Sequence, residues 1–331
     1  IVYIISQFQS VLILRLPIFL LFLVVKVYNK KIQRSELTYH FLPPIYFLNR
    51  LEQMKLNTTN QLLKLKQVLE LLVLYLKQLG AKKLVACKKL TDIKSEAAYN
   101  EFISEVSMMA DLFHPNLANM IGYCKSPPTI VMEFIAHGNL YDFINSDAIC
   151  SWPLRLKIVL DVAIAIEFLH GLCPAVIHRD LKSPNVLMHS LSCSSEVVAK
   201  VADFGLSTRK WMDLQEEKDK RDVQNPVWLA PEILNENAYD ERVDCYALGV
   251  IMWEVLARKY PYEEYSYEFT YQLEDAIRSG VRPTIPVATD DPAEIYERYT
   301  ALMRRCWDPS AENRPTAQEL VLELTQLFEA A

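Results

Sequence analysis

The chemistry-bearing residues of this chain cluster in its middle. The run HRDLKSPNVL places His178, Arg179, Asp180, Lys182 and Asn185 close together. Asp180 and Asn185 are too near for separate domains and far enough apart to face one site from a loop. Further on, AKVADFGLS supplies Asp203 in a strand–turn, with Gly205 allowing the turn. Mg²⁺ takes hard oxygen ligands and keeps part of its water shell beside a bound polyphosphate. Asn185 and Asp203 offer such oxygens. A separate carboxylate, Asp180, placed to accept a hydroxyl proton, completes a site suited to phosphoryl transfer, where positioning and charge stabilisation supply most of the catalysis.

Those residues need a scaffold. LVACKKL (84–90) reads as a short apolar strand ending in lysines, and TIVMEF (129–134) as a buried strand. Residues 95–112 show helical periodicity through Phe102, Val106, Met109 and Leu112. From Leu154 the pattern is mostly helical, with a helix ending near His170 and a loop-rich stretch around 174–230. A small strand-bearing part followed by a larger helical one predicts an α+β architecture with a cleft between the two.

The chain has 331 residues, 51% hydrophobic and 23% charged, which gives ample material for a core and excludes a wholly disordered chain. Seven scattered cysteines show neither paired metal-ligand spacing nor a secreted disulfide framework. Residues 1–80 contain 20 Leu, ten Lys or Arg, three Glu and no Asp, a formal charge of +7; the whole chain is −6, so residues 81–331 carry −13. Such a break marks a separate domain, a membrane segment or a stretch of different origin. The acidic remainder argues against a nucleic-acid partner, whose electrostatic footprint is basic. Counted from Ile1, the apolar stretch to Val25 reaches the length of a spanning helix, although Arg15 and Pro17 interrupt it. Lys26, Lys30, Lys31 and Arg34 follow, so a span there would leave the rest of the chain cytoplasmic. Residues 61–79 read as a Leu-rich helix, apolar nearly all round.

Taken in order, VACK, EFISEVSMM, HRDLKSPN, ADFG, WLAPE, ERVDCYALGV and ENRPT resemble the signature set of eukaryotic protein kinases. The resemblance covers 82–328. It implies a bilobal α+β kinase fold, with the remainder of an N-lobe and a hinge in 81–136 and a C-lobe in 137–328. It implies ATP and Mg²⁺ as cofactors. Lys88 matches the lysine that pairs with the α- and β-phosphates, and Glu105 its partner glutamate. Asp180 matches the catalytic base and Lys182 the lysine that neutralises the transferring phosphoryl group. Asn185 and Asp203 match the metal ligands. Met132 falls at the gatekeeper position, and the backbones of Glu133 and Ile135 would hydrogen-bond adenine. Glu232, with Ala230 and Pro231, matches the element closing the activation segment, and Arg314 the arginine that pairs with that glutamate. Asp244 matches the buried aspartate bracing the catalytic loop, which His178 and Arg179 help to hold.

Lys182, two residues after the catalytic aspartate, implies a protein substrate with a Ser or Thr acceptor. VWLAPE and CWDPSAENRPT look like the tyrosine-kinase-like group. SEVVAKVADFGLS, EEYSYEF and GVRPTIP are most similar to the kinase domains of Roco (leucine-rich-repeat kinase) proteins. The expected location is the cytoplasm, or a membrane through residues 1–25. The oligomeric state is not legible.

Other residues have plainer readings. His114 and His178 pack loops, Cys87, Cys124 and Cys245 fill core, Trp253 and Trp307 are core, and EEKDKRD (216–222) is a solvated loop. Between Gly205 and Ala230 the hydroxyl residues are Ser207 and Thr208 alone, so phosphorylation in the middle of that segment is not expected to switch the protein on.

The chain holds seven glycines, none before Gly80. The family's glycine-rich phosphate loop would fall at Lys66–Gln78, which has none. One reading is a lobe without its phosphate lid, a pseudokinase serving as a binding module. Another is out-of-frame translation of residues 1–80. Within 62–79 only Val68, Glu70 and Val73 have codons beginning with G, and in the shifted frame their spacing gives G-x-G-x-x-G. That spacing favours the second reading. Stop codons or non-glycine codons in the shifted frame would end it.

Overall fold

A computed structural model describes residues 85–89, 96–125, 128–210, 225–287 and 292–331. The segment 1–80 with its proposed frame shift, the candidate span 1–25, the Leu-rich helix 61–79 and the charged run 216–222 lie outside these residues. The described residues form two compact units. One is built from 85–89, 121–125 and 128–134, and the other from the rest.

The first unit is a three-stranded sheet of β1 (Val85–Lys89), β2 (Met120–Lys125) and β3 (Pro128–Glu133), with β3 in the middle. β1 runs antiparallel to β3, setting Val85 opposite Glu133, Ala86 opposite Met132 and Lys88 opposite Ile130. Ile130 is fully buried. Side chains alternate across a strand, so Cys87 and Lys88 point to opposite faces. Cys87 proves exposed and Cys124 half-buried. Both correct the expectation of core cysteines: apolar neighbours in sequence do not say which face of a strand is covered. Cys245, in a helix, is buried as expected.

The second unit begins with α1 (Glu96–Asp111), whose buried Phe102, Val106 and Met109 recur at helical spacing. After the short α2 (Leu140–Ile144), capped by Asn139 accepting from the Asp142 N–H at 2.8 Å, comes α3 (Trp152–His170). α4 (Pro231–Leu234), α5 (Arg242–Ala257), α6 (Thr270–Arg278), α7 (Ala293–Cys306) and α8 (Ala317–Ala330) complete the helices. α3 and α5 are apolar around most of their circumference, and such helices belong in a core. α3 packs against α8 and α5, and α7 packs against α5. Every residue of α5 from Val243 to Leu256 is buried, Trp253 among them. Each large apolar side chain so covered contributes about 1.5–3 kcal/mol. Gly249 permits the close approach of α7: a Cβ there would lie 2.6 Å from the Cys306 Cβ and 3.2 Å from the Trp307 N.

Two short ladders carry the segment that matters most. β4 (Ala175–Ile177) pairs with β7 (Thr208–Lys210), and β5 (Val186–Met188) pairs with β6 (Ala199–Val201). Residues 178–185 run from β4 to β5, and residues 202–207 from β6 to β7. Each loop is therefore anchored to the other at both ends.

Candidate active site

Asp180 stands on the loop between β4 and β5. Its carboxylate accepts from Lys182 Nζ, at 3.0 Å to Oδ1 and 2.8 Å to Oδ2. Asn185 Nδ2 donates to Asp180 Oδ2 at 3.0 Å and to its backbone carbonyl at 2.8 Å. The three residues that the sequence places in one run thus share one carboxylate. Ser183–Asn185 forms a short 3₁₀ turn that sets this spacing.

The loop is held from beneath by Asp244, in the first turn of α5 and 1% exposed. Its Oδ2 accepts from the His178 N–H at 2.8 Å and from His170 Nε2 at 2.9 Å, and its Oδ1 from the Arg179 N–H at 2.9 Å. Burial works to raise this carboxyl. The hydrogen bond and charge of His170, with the contribution of His178, outweigh it and hold Asp244 below its ordinary value. Arg179 adopts φ 65°, a left-handed backbone that costs a non-glycine residue of order 1–3 kcal/mol and persists only when its surroundings fix it. Here the Asp244 bond to its N–H does so, and its side chain donates to the Leu206 carbonyl and, at 2.9 Å, to the Tyr239 hydroxyl.

His178 is fully buried. Its Nε2 donates to the Ala202 carbonyl at 3.2 Å, while Nδ1 accepts from the Asp180 N–H at 3.3 Å. One ring nitrogen donates and the other accepts, which is the neutral imidazole. Burial pushes its pKa below the ordinary value, against the pull of Asp244 and Asp180. His178 therefore works as a strut between the two loops. His114 serves its own loop similarly, stacked on Phe168 with ring centroids 4.6 Å apart and accepting from the Asn116 N–H at 3.1 Å.

Asp203 is brought to the same place by the β5–β6 ladder, since the Ala202 N–H donates to the Asn185 carbonyl at 2.8 Å, one step past the Val186–Val201 pair. The left-handed residue of this turn is Asp203 itself, at φ 66°, whereas Gly205 lies outside the positive-φ region. That corrects the reason for a glycine here. A Cβ at Gly205 would stand 3.4 Å from Asp203 Oδ1 and 3.7 Å from Glu105 Oε2, so the residue sits against both carboxylates. Glu105, on α1, is 8% exposed.

The donor set suits a hard divalent cation. Both hydrogen bonds of the Asn185 amide nitrogen go to Asp180, and among the described residues none donates to Asn185 Oδ1. Its amide oxygen and the Asp203 carboxylate are of the hard-oxygen type that Mg²⁺ takes, and phosphate and water would supply the rest of its shell. No cluster of three or more His, Cys, Asp or Glu side chains able to hold a metal occurs among the described residues.

Glu232 on α4 and Arg314 meet in a two-pronged pair, Nη1 to Oε1 at 2.6 Å and Nη2 to Oε2 at 2.9 Å. Arg314 is 3% exposed and lies over the Tyr246 ring, 5.1 Å from its centroid. Lys88 and Met132 occupy paired strands of the first unit, with Glu133 at the end of β3, while Ile135 is a buried residue of the second.

Sequence reasoning passed over four side chains bonded to this frame. Ser183 and Glu254 join at 2.6 Å, and Trp228 donates to the same Glu254 at 2.8 Å. The available signal was an acid in the otherwise apolar run Cys245–Leu256. Asp161, 1% exposed, anchors β6 by accepting from the Val198 and Ala199 N–H groups at 2.6 and 3.0 Å.

A family profile described as protein tyrosine and serine/threonine kinase matches residues 67–324. Among curated proteins, the probable serine/threonine-protein kinase roco6 of Dictyostelium discoideum is 42% identical over 253 residues, covering 74% of this chain and 12% of that protein. The probable serine/threonine-protein kinase pats1 of the same organism is 41% identical over 244 residues, covering 73% of this chain and 7% of that protein. Cyclic GMP-binding protein C, also from Dictyostelium discoideum, is 38% identical over 231 residues, covering 69% and 8% respectively. The chain therefore matches only a small part of the length of these relatives. The likeness to Roco-type kinase domains read from the motifs agrees with these matches. By its α+β fold class and by the greater part of its length, the chain belongs to the protein tyrosine and serine/threonine kinase family.

Proposed function

We propose that this chain is an ATP- and Mg²⁺-dependent protein kinase that phosphorylates Ser and Thr hydroxyls of protein substrates. The observation that carries the reading is the Asp180 carboxylate held jointly by Lys182 and Asn185 on a loop fixed to Asp244. Asp180 orients the acceptor hydroxyl and takes its proton as the oxygen attacks the γ-phosphorus in line. Lys182, already on that carboxylate, stabilises the charge of the group in transfer. By motif resemblance, Lys88 is assigned to the α- and β-phosphates and Glu105 to the family's partner-glutamate position. The backbones of Glu133 and Ile135 receive adenine beside Met132. Mg²⁺ on Asn185 Oδ1 and the Asp203 carboxylate would neutralise charge on the phosphate oxygens. A Ser/Thr acceptor is supported by Lys182 and by the names of the related kinases. The charge of −13 on residues 81–331 speaks for a protein rather than a nucleic-acid partner. No helix among the described residues is long and apolar enough to cross a membrane.

The test is phosphate incorporation from γ-labelled ATP into Ser/Thr and Tyr acceptor peptides, with Asp180→Asn as control. Incorporation on Ser and Thr is expected to fall by about 10²–10⁴-fold in the control. No incorporation above that control would overturn the reading in favour of a binding module.

A further inference from the structure

Between α5 and the first turn of α6 the chain turns aromatic rings out to solvent. Phe269 is 56% exposed and Tyr271 59%. Their rings stack, with centroids 5.6 Å apart and planes 12° from parallel. Just before them Tyr265 and Tyr267 stack as well, at 5.6 Å and 25°. The backbone beneath the rings is fixed. Gln272 Oε1 accepts from the N–H groups of Glu268 and Phe269 at 2.8 and 3.2 Å, and the Tyr265 hydroxyl donates to the Arg282 carbonyl at 3.3 Å. Large rings held open to water in one short stretch mark a surface that a partner covers.

The charge around the rings says what that partner carries. From Tyr262 to Ile277 the sequence holds five acids, Glu263, Glu264, Glu268, Glu274 and Asp275, and no Lys or Arg. Bases stand only at the two ends of the stretch. Lys259 pairs with Glu263 at 3.3 Å, and Arg278 with Glu274 and Asp275 at 3.0 and 2.8 Å. Glu264 Oε1 accepts from the Thr284 N–H at 2.7 Å. Glu268, beside Phe269, is exposed and makes no ion pair among the described residues. A cation is attracted to the face of an aromatic ring, and a guanidinium can lie flat on the ring while its N–H groups reach a carboxylate. An acidic partner would be repelled here, and a purely apolar one would gain nothing from the acids.

We propose that the Tyr265–Tyr271 face is a docking site for an Arg- and Lys-bearing segment of a protein substrate, separate from the hydroxyl that receives the phosphate. The place of the face in the fold suits that role. α6 packs against α4, and Arg278 Nη2 donates to the Leu234 carbonyl at 2.8 Å. The exposed rings are thus tied to the element that carries Glu232 and closes the activation segment. The part played in substrate choice rests on the phosphotransfer reading; the binding of a basic segment does not.

The experiment has a binding arm and a kinetic arm, both on the full chain. Fluorescence anisotropy follows a labelled Arg-rich peptide that has no hydroxyl residue. The wild type is expected to bind it, less tightly as salt is raised, and not to bind a Glu-rich peptide of the same length. Phe269→Ser combined with Tyr271→Ser should weaken binding about five- to thirtyfold. Both side chains are exposed, so the double variant is expected to keep the fold. Glu268→Lys should weaken binding further. In the kinetic arm a Ser acceptor peptide is compared with the same peptide joined to the Arg-rich segment through Gly/Ser linkers of several lengths. The extended peptide should show a lower KM at equal kcat, and the double variant should remove that advantage while leaving the short peptide unchanged. Equal binding of the Arg-rich peptide by wild type and double variant would overturn the proposal. So would equal binding of the Glu-rich peptide, or KM values that agree for short and extended peptides at every linker length. If neither peptide accepts phosphate, the kinase reading fails and the binding arm alone decides whether the face takes a basic segment.

Discussion

Asp244 and Glu254 stand on one helix and are equally buried, yet they hold their protons in opposite ways. Asp244 receives two backbone N–H groups fixed by the loop above it and a histidine nitrogen, and it stays an anion below its ordinary range. Glu254 receives one hydroxyl and one indole, both neutral, and burial wins. Removal from water thus does not set the charge of a carboxyl by itself. The number of donors and their charge decide it. The first turn of α5 is a permanent brace, whereas its last turn can change state near neutral pH.

The sharpest way to break this contrast is Asp244→Ala. It leaves the N–H groups of His178 and Arg179 and the His170 ring without their acceptor, for a loss of about 5 kcal/mol or more in denaturant unfolding. The pH dependence has a definite sign. The folded value of Asp244 lies below the ordinary 3.8, so its contribution is present above that value and is lost as pH falls through the folded one. Asp244→Asn should flatten the acid limb of a stability–pH curve below about pH 4.

Arg314→Ala comes next. It strands the Glu232 carboxylate and uncovers the Tyr246 face beside the same first turn of α5, costing about 3–5 kcal/mol by urea titration. Arg314→Lys should recover only part, since an ammonium cannot form the two-pronged pair. At the other end of the helix the folded value of Glu254 is raised. Its contribution is complete below the ordinary 4.5 and declines as pH rises towards about 8. Melting temperatures measured across that range should fall in the wild type more than in Glu254→Gln. The smallest effect is expected from Ser207→Ala with Thr208→Ala. Ser207 Oγ gives the His178 carbonyl one neutral hydrogen bond of 3.2 Å, at the edge of the Asp244 network. Activity within about tenfold of wild type would fit that modest bond. Abolished activity would make these hydroxyls the switch of the segment.

The residues around Asp180 were legible because their chemistry is local: Asp180, Lys182 and Asn185 share one short turn, and the sequence prints their spacing. Asp244 and Arg314 were reachable through motif resemblance, because their partners are far away in the chain. Glu254 had neither aid. Its partners Ser183 and Trp228 lie 71 and 26 positions away, and nothing in a helical pattern tells an acid at a buried position from one at a surface edge. The left-handed turn residue was misplaced for a similar reason. Composition points to Gly205, but the conformation belongs to Asp203, held there by surroundings that only the fold assembles.

The close approach of α5 and α7 at Gly249 has a consequence for thiol reactivity. Burial holds Cys245 well above its ordinary value and pushes Cys306 up to about 12, while Cys87 and Cys173 are exposed. Only the thiolate attacks an alkylating reagent. The exposed Cys87 and Cys173 therefore react at once, while Cys245 and Cys306 react only when the two helices part. In the intact protein the alkylation of Cys245 and Cys306 would run as a clock for the opening of the core, counting excursions too rare for any average property to register.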